Sequence, residues 1–234
     1  MVFAIQIKKE IVMEKFMKKI IWLIILAPAV YLAIVWNRLP ERIAMHFNLK
    51  GNIDRYGNKN ELLLLVLLLT VLNVGVYLLL TNMYRIDPKK HAADNKTRLH
   101  RIAFAVCVFM AAVFCLIIYS TSLGNIKFNM RLILAGTGLL FAFIGNYMHN
   151  IKPNYFAGFR LPWTLNNDEN WKKTHLLGGK LWFVGGLFLA VVCLFTPPVI
   201  SVIVFFTVMM VIIIIPGVYS YRLYKKQKVL NSTN

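Results

Sequence analysis

The sequence predicts an all-α polytopic membrane protein, a transmembrane helical bundle of about six spans with the N- and C-termini in the cytoplasm. Three observations predict it: an unusually apolar composition, six long stretches without charged residues, and an uneven distribution of Lys and Arg between the loops. Of the 234 residues, 59% are hydrophobic and 15% are charged, against roughly 45–50% and about 25% in soluble domains. A bilayer provides the apolar solvent that so much apolar surface requires.

Six apolar stretches contain no Asp, Glu, Lys or Arg and are long enough for membrane spans. About 20 helical residues cross the hydrocarbon core, within a range of roughly 17–25. The fourth and fifth stretches are short by this count, but Arg131, His149 and Lys180 at their ends can reach the headgroups and extend them. We expect spans at 20–36, 62–81, 102–122, 132–148, 181–196 and 200–221, the last two joined by a tight hairpin.

The basic residues predict the orientation. With a cytoplasmic N-terminus, 20 of the 27 Lys and Arg fall in the inner segments and seven in the outer ones, as the positive-inside rule requires. The net charge of +18 is explained in this way, together with attraction to anionic membrane lipids, and we expect no direct nucleic-acid binding. The organisation that follows is a cytoplasmic segment (1–19), a helical pair with an outer loop and a basic inner loop (20–101), and a four-span domain (102–234).

The outer loop, residues 37–61, contains a cluster of polar side chains. Its glycines, Gly51 and Gly57, permit tight turns, so we expect an ordered lid. His46, Asn48 and Asp54 are candidates for contact with an extracellular ligand. The alternative is that these polar groups only satisfy one another. One His and one Asp are too few for a metal site.

The inner segment between the fourth and fifth spans, 149–180, is richer in polar and aromatic residues. Pro153 and Pro162 interrupt the helix, and Asn166 with Glu169 resembles a capping box that would start a new helix near Asn167. On that helix Trp171 and His175 share one face, and Arg160 could stack on Trp163 or Trp171. The segment is either a docking surface for a cytoplasmic partner or an interfacial turn anchored to headgroups.

The sequence lacks the motifs that are typical of several enzyme classes and of ion-coupled transporters. No H-E-x-x-H, G-x-S-x-G or P-loop pattern occurs, and no charged residue lies within a span, where ion-coupled transporters usually need one. We therefore expect neither an enzyme nor a cofactor. The polar residues Asn73 and Asn146 are expected to form hydrogen bonds between helices. The three cysteines are expected to be small buried side chains.

The motifs of the inner segment resemble the signature of the SdpI family of bacterial immunity proteins, approximately G-N-Y, K-P-N-x-x-x-G-I-R-T-P-W-T-L, W-x-K-T-H-R and G-G. The outer loop is similar to an uncharacterised bacterial domain that often precedes it, with the pattern L-P-x-x-I-x-x-H-F-N-x-x-G-x-x-D. The departures from the family include Leu161, which replaces Thr, and Leu176, which replaces Arg. The matching residues are Gly145-Asn146-Tyr147, Lys152-Pro153-Asn154, Gly158, Arg160, Pro162-Trp163-Thr164-Leu165, Trp171, Lys173-Thr174-His175 and Gly178-Gly179.

The resemblance implies a membrane immunity protein that gives resistance to a secreted antimicrobial peptide toxin and that can also hold a cytoplasmic winged-helix repressor at the membrane. The toxin would meet His46, Asn48 and Asp54 outside. Two alternatives stay open: a passive exporter or flippase-like transporter of an amphipathic substrate, and a scaffold without a ligand of its own. The partner-binding candidates inside are Asn154, Arg160, Pro162, Trp163, Thr164, Trp171, Lys173 and His175.

Overall fold

The computed structural model of the protein describes residues 2–48, 52–89, 92–123 and 129–232, with side chains described for 12–48, 52–89, 93–123 and 129–230. Six of the helices in these ranges are long and apolar enough to cross a membrane, which confirms the all-α polytopic prediction. The elements are α1 (Val2–Val35), a 3₁₀ turn (Trp36–Arg38), β1 (Ile43–Phe47), β2 (Ile53–Gly57), α2 (Lys59–Ile86), a 3₁₀ turn (Ala92–Asn95), α3 (Lys96–Ser122), α4 (Met130–Met148), α5 (Pro162–Leu165), α6 (Asp168–Phe195) and α7 (Pro198–Ser232).

One element was not predicted from the sequence, and one predicted helix start is confirmed. The outer loop contains an antiparallel hairpin of β1 and β2, which the sequence did not predict. Helix α6 begins at Asp168 and has 28 residues, so at about 1.5 Å per residue it is longer than the roughly 30 Å hydrocarbon core. Its first turns, which include Lys172 and Lys173, precede the apolar part that was predicted as the fifth span, as expected for a helix that starts near Asn167.

The contacts divide the described chain into two compact units. The first unit comprises the described residues of 1–81 and 103–130, and its core joins α1, α2 and α3 to the hairpin. Ile43 of β1 is completely buried in this core, which anchors the hairpin to the helix ends. Asn73 on α2 donates a 3.2 Å hydrogen bond from its amide to the Cys107 carbonyl on α3, which confirms its expected role between helices.

The second unit comprises the described residues of 82–102 and 131–232. Helices α4 and α6 approach closely because glycines face each other. A Cβ atom added at Gly145 would lie 2.5 Å from the Phe183 nitrogen, and one at Gly138 would lie 2.6 Å from the Gly186 oxygen. Helices α6 and α7 form the expected tight hairpin, in which the Ser201 hydroxyl donates to the Cys193 carbonyl at 3.3 Å.

Candidate functional site

The segment 149–167 between α4 and α6, which we call the elbow, is shaped first by Asn154. This side chain is 3% exposed. Its carbonyl oxygen accepts hydrogen bonds from the backbone N–H groups of Phe156 (2.9 Å) and Ala157 (2.7 Å), and its amide donates to the Lys152 carbonyl at 2.9 Å. Asn154 therefore provides the hydrogen bonds that secondary structure would otherwise supply to this turn.

Thr164 holds the second half of the elbow. Its buried hydroxyl donates to the Phe159 carbonyl at 2.6 Å and accepts from the Leu161 N–H at 3.0 Å. Pro162 starts the short helix α5, where a missing N–H has no cost because the first turn has no intrahelical acceptor. These contacts position the exposed segment between Gly158 and Pro162.

His175 on α6 locks the elbow to the bundle. Its Nε2 accepts a 2.9 Å hydrogen bond from the Phe159 N–H, and its Nδ1 lies 2.8 Å from the Trp171 carbonyl oxygen. One nitrogen must therefore accept and the other donate, which defines a neutral ring in one tautomer. The ring is completely buried and stacks on Trp171 with centroids 3.9 Å apart. The predicted shared face of Trp171 and His175 is confirmed.

Gly158 passes so close to this histidine that only glycine fits. Its φ of 95° lies in the left-handed region, which a residue with a Cβ adopts only with strain. An added Cβ atom would also collide with the Nε2 of His175. The backbone N–H of the next residue reaches the imidazole because of this close approach.

The start of α6 corrects the predicted capping box. Asn167, and not Asn166, is the N-cap: its side-chain oxygen accepts from the Asn170 N–H at 2.8 Å. Asn166 instead ends α5, with its backbone N–H bonded to the Pro162 carbonyl at 3.2 Å. Glu169 does not return to the cap but pairs with Lys173, one turn later, at 2.5 Å. The N-cap of α6 lies one residue further along the chain because the Asn166 N–H is already bonded to the Pro162 carbonyl at the end of α5.

Two side chains join the elbow and α6 to α7. The Trp163 indole N–H donates to the Ser220 hydroxyl at 2.7 Å, and the buried Asn170 amide donates to the Ser220 carbonyl at 3.0 Å. Trp163 also stacks on Tyr224 at 5.8 Å. Arg160, which was expected to stack on a tryptophan, donates to the Tyr155 carbonyl at 3.1 Å.

The basic loop between α2 and α3 is bound to the elbow as well. Asn95, completely buried, exchanges two hydrogen bonds with the backbone of Lys152, at 3.0 and 2.8 Å. The Asp87 carboxylate accepts from the Tyr155 N–H at 2.7 Å, and the Lys89 ammonium donates to the Leu165 carbonyl at 2.6 Å. From the sequence, the basic charge of this loop was explained by attraction to anionic lipids, and these contacts were not predicted.

The partner-binding candidates thus fall into two groups. Asn154, Thr164, Trp171 and His175 are buried, and they hold the elbow in shape. Arg160, Pro162 and Lys173 are exposed, whereas Trp163 is half-buried. A groove of about 460 Å³ lies beside the exposed group and is lined by Pro162, Trp163, Asn166, Asn167, Tyr224, Gln227 and Lys228.

The outer-loop candidates come together on the hairpin. His46 Nδ1 lies 2.5 Å from the Asp54 carboxylate, and these side chains are 65% and 43% exposed. Asn48 accepts a 3.1 Å bond from the Asn52 N–H and donates its own N–H to the Asn52 carbonyl at 2.8 Å, which closes the hairpin. Gly51 lies outside the described residues. No group of three or more metal-binding side chains occurs among the described residues.

These features define a multi-pass membrane protein with a pre-organised polar elbow and a structured hairpin. The comparisons with known proteins agree with the motifs. Residues 150–220, from the elbow to the Ser220 contact on α7, match the SdpI/YfhL protein family, and residues 23–70 match a domain of unknown function, DUF1648. The resemblance found in the sequence is confirmed.

One curated relative is Immunity protein SdpI of Bacillus subtilis (strain 168). It is 33% identical over 106 residues, which cover 45% of this chain and 50% of the relative. The matched segment therefore spans about half the length of that protein. No solved structure matches the chain.

Proposed function

We propose that this protein is a membrane immunity protein, which protects the cell that makes it from a secreted antimicrobial peptide toxin. One observation carries the proposal. The SdpI/YfhL match covers nearly the whole elbow, α6, and α7 as far as Ser220, and the relative with 33% identity is described as an immunity protein. The role requires binding and no catalysis.

The toxin would be bound on the hairpin. The polar side chains of the hairpin, His46 and Asp54 in particular, are exposed but are held in place by their mutual contact. Binding a peptide would therefore cost little ordering entropy. Arg42 lies over the Tyr56 ring at 5.3 Å and adds a fixed cation to the same hairpin. The predicted orientation places this surface outside the cell.

Expression in a toxin-sensitive bacterium tests the proposal. We expect the chain to raise the peptide concentration needed for killing in a panel of purified secreted bacterial peptide toxins. The variant His46→Ala/Asp54→Ala is expected to lose protection while its membrane level is unchanged. Lys59→Ala is the control, because it removes a charge near the hairpin, one that pairs with Glu41 at 3.5 Å. Unchanged killing by every peptide would contradict the proposal.

The second part of the proposed function is that the elbow binds a cytoplasmic transcriptional repressor. Its buried residues present Arg160 and Pro162 on a fixed backbone, beside the groove that contains Trp163 and Tyr224. A pre-organised surface of this kind with an arginine and an aromatic ring has the composition of interface hot spots. A toxin-dependent signal requires that the toxin bind one arrangement of the helices better than another.

Arg160→Ala tests the repressor half separately. We expect it to reduce the fraction of a winged-helix repressor, encoded beside the gene, that sediments with membranes after toxin exposure, while toxin resistance persists. Arg98→Ala is a matched control because Arg98 also donates from Nη1 to a backbone carbonyl, that of Asp94, at 2.8 Å. Equal recruitment by the Arg160→Ala variant and the unaltered protein would remove Arg160 from the docking surface.

A further inference from the structure

A groove runs along the contact between α4 and α6 in the second unit. Gly145 and Gly179 bring the two backbones together: a Cβ at Gly179 would lie 2.8 Å from the Gly145 oxygen. Where two helices touch through glycines, the larger side chains on either side diverge and leave a furrow. This furrow has a volume of about 470 Å³, and its outer side chains include Phe183, Val184 and Lys180.

The groove has an apolar part and a cationic part. Phe183 and Val184 are 42% and 64% exposed and lie in the apolar segment that was predicted as the fifth span. At the elbow end the furrow reaches His149, which also lines a second cavity of about 280 Å³. This second cavity includes Lys152 and Lys172.

The charge of the two cavities is unbalanced. Together their linings contain three lysines, Lys152, Lys172 and Lys180, against one carboxylate, that of Asp168. Within the part of the chain that the structure describes, none of these three lysines has a carboxylate partner. The nearby Lys173, by contrast, pairs with Glu169. An anion at this end of the groove would meet cations that protein groups leave uncompensated.

We propose that this groove binds one anionic phospholipid, with its phosphate among Lys172, Lys180 and His149 and an acyl chain along Phe183 and Val184. The chemistry of both ends points to this occupant. A free phosphate would use the cationic end alone, and a zwitterionic lipid would offer the lysines no net charge. Basic pockets between transmembrane helices bind anionic headgroups in this way. Neither a toxin nor a repressor is required for this binding.

Lipid retention measured by native mass spectrometry of the full chain, released from detergent micelles, tests the proposal. With phosphatidylglycerol or phosphatidylcholine added in equal amounts, we expect one retained molecule of phosphatidylglycerol in preference. The Lys172→Gln/Lys180→Gln variant is expected to bind it about 30-fold more weakly, since each basic residue contributes roughly fivefold. Lys225→Gln/Lys226→Gln on α7 is the matched control, because it removes the same charge from exposed lysines outside the groove.

Three results would overturn the proposal: equal retention of the two lipids, equal weakening in the control variant, or displacement of phosphatidylglycerol by millimolar glycerol phosphate. The last would assign the site to a small anion. Both groove lysines are exposed, so the double variant is expected to elute as a monodisperse peak like the unaltered protein. If it does not, Lys180→Glu provides a single-site test, with weaker phosphatidylglycerol binding as the expected result and unchanged binding as the contrary one.

Discussion

Gly186→Leu is expected to prevent assembly of the second unit. A Cβ atom at this position would lie 2.5 Å from the Gly138 oxygen and would also collide with the Ala142 nitrogen. Both obstacles are backbone atoms of α4, so no side chain can rotate away and the helices must separate. Overpacking typically costs about 1–3 kcal/mol, and we expect a loss of about 3 kcal/mol or more because the whole α4–α6 contact is affected.

Thermal unfolding in detergent micelles, followed by the monodisperse fraction after heating, measures this effect. Gly217→Leu is the matched control in the same unit. No atom lies within 4 Å of a Cβ placed there, and replacing a helical glycine gains up to about 1 kcal/mol of helix propensity. The control is expected to keep or raise the unfolding temperature. Equal behaviour of the two leucine variants would show that α4 and α6 do not pack through their glycines.

The fold class was predictable because its cause is local. Each span is a stretch without charged residues, and bilayer thickness imposes its length whatever the neighbours do. The hairpin was not predicted, since its strands have only five residues each and are stabilised by Ile43 in a core that joins three helices. The start of α6 was predicted near Asn167, close to the observed Asp168, because capping residues can be identified in the sequence even where the first turns are polar.

The candidate site was predictable only where its residues lie at helical spacing in the sequence. Trp171 and His175 were placed on one face because they are four residues apart. Asn95 and Ser220 received no attention, although each bonds to the elbow across 57 residues of sequence. A single sequence contains no signal for such a pairing. The residues with obvious functional chemistry were therefore identified, whereas several of those that hold them were not.

His175→Ala is expected to destabilise the elbow more than the truncation of any side chain within the elbow itself. The substitution removes the acceptor of the Phe159 N–H, at 2.9 Å, and the ring that stacks on Trp171. An unsatisfied buried donor costs about 1–3 kcal/mol, and deletion of a buried aromatic ring costs about 3–5 kcal/mol. Because these terms overlap, we expect a total loss of about 3–5 kcal/mol, with faster proteolysis within 149–167.

His175→Phe separates the two contributions. It keeps a ring against Trp171 but removes the acceptor, so a loss of about 1–3 kcal/mol is expected from the unpaired Phe159 N–H alone. Lys173→Ala, on the same helix but exposed, is the control and is expected to leave the unfolding temperature unchanged. If the alanine and phenylalanine variants were as stable as the control, His175 would make no contribution to the stability of the elbow. A neutral imidazole that both stacks on Trp171 and accepts from the Phe159 N–H predicts a definite order of stability. The alanine variant is expected to be the least stable, the phenylalanine variant intermediate and the Lys173→Ala control the most stable.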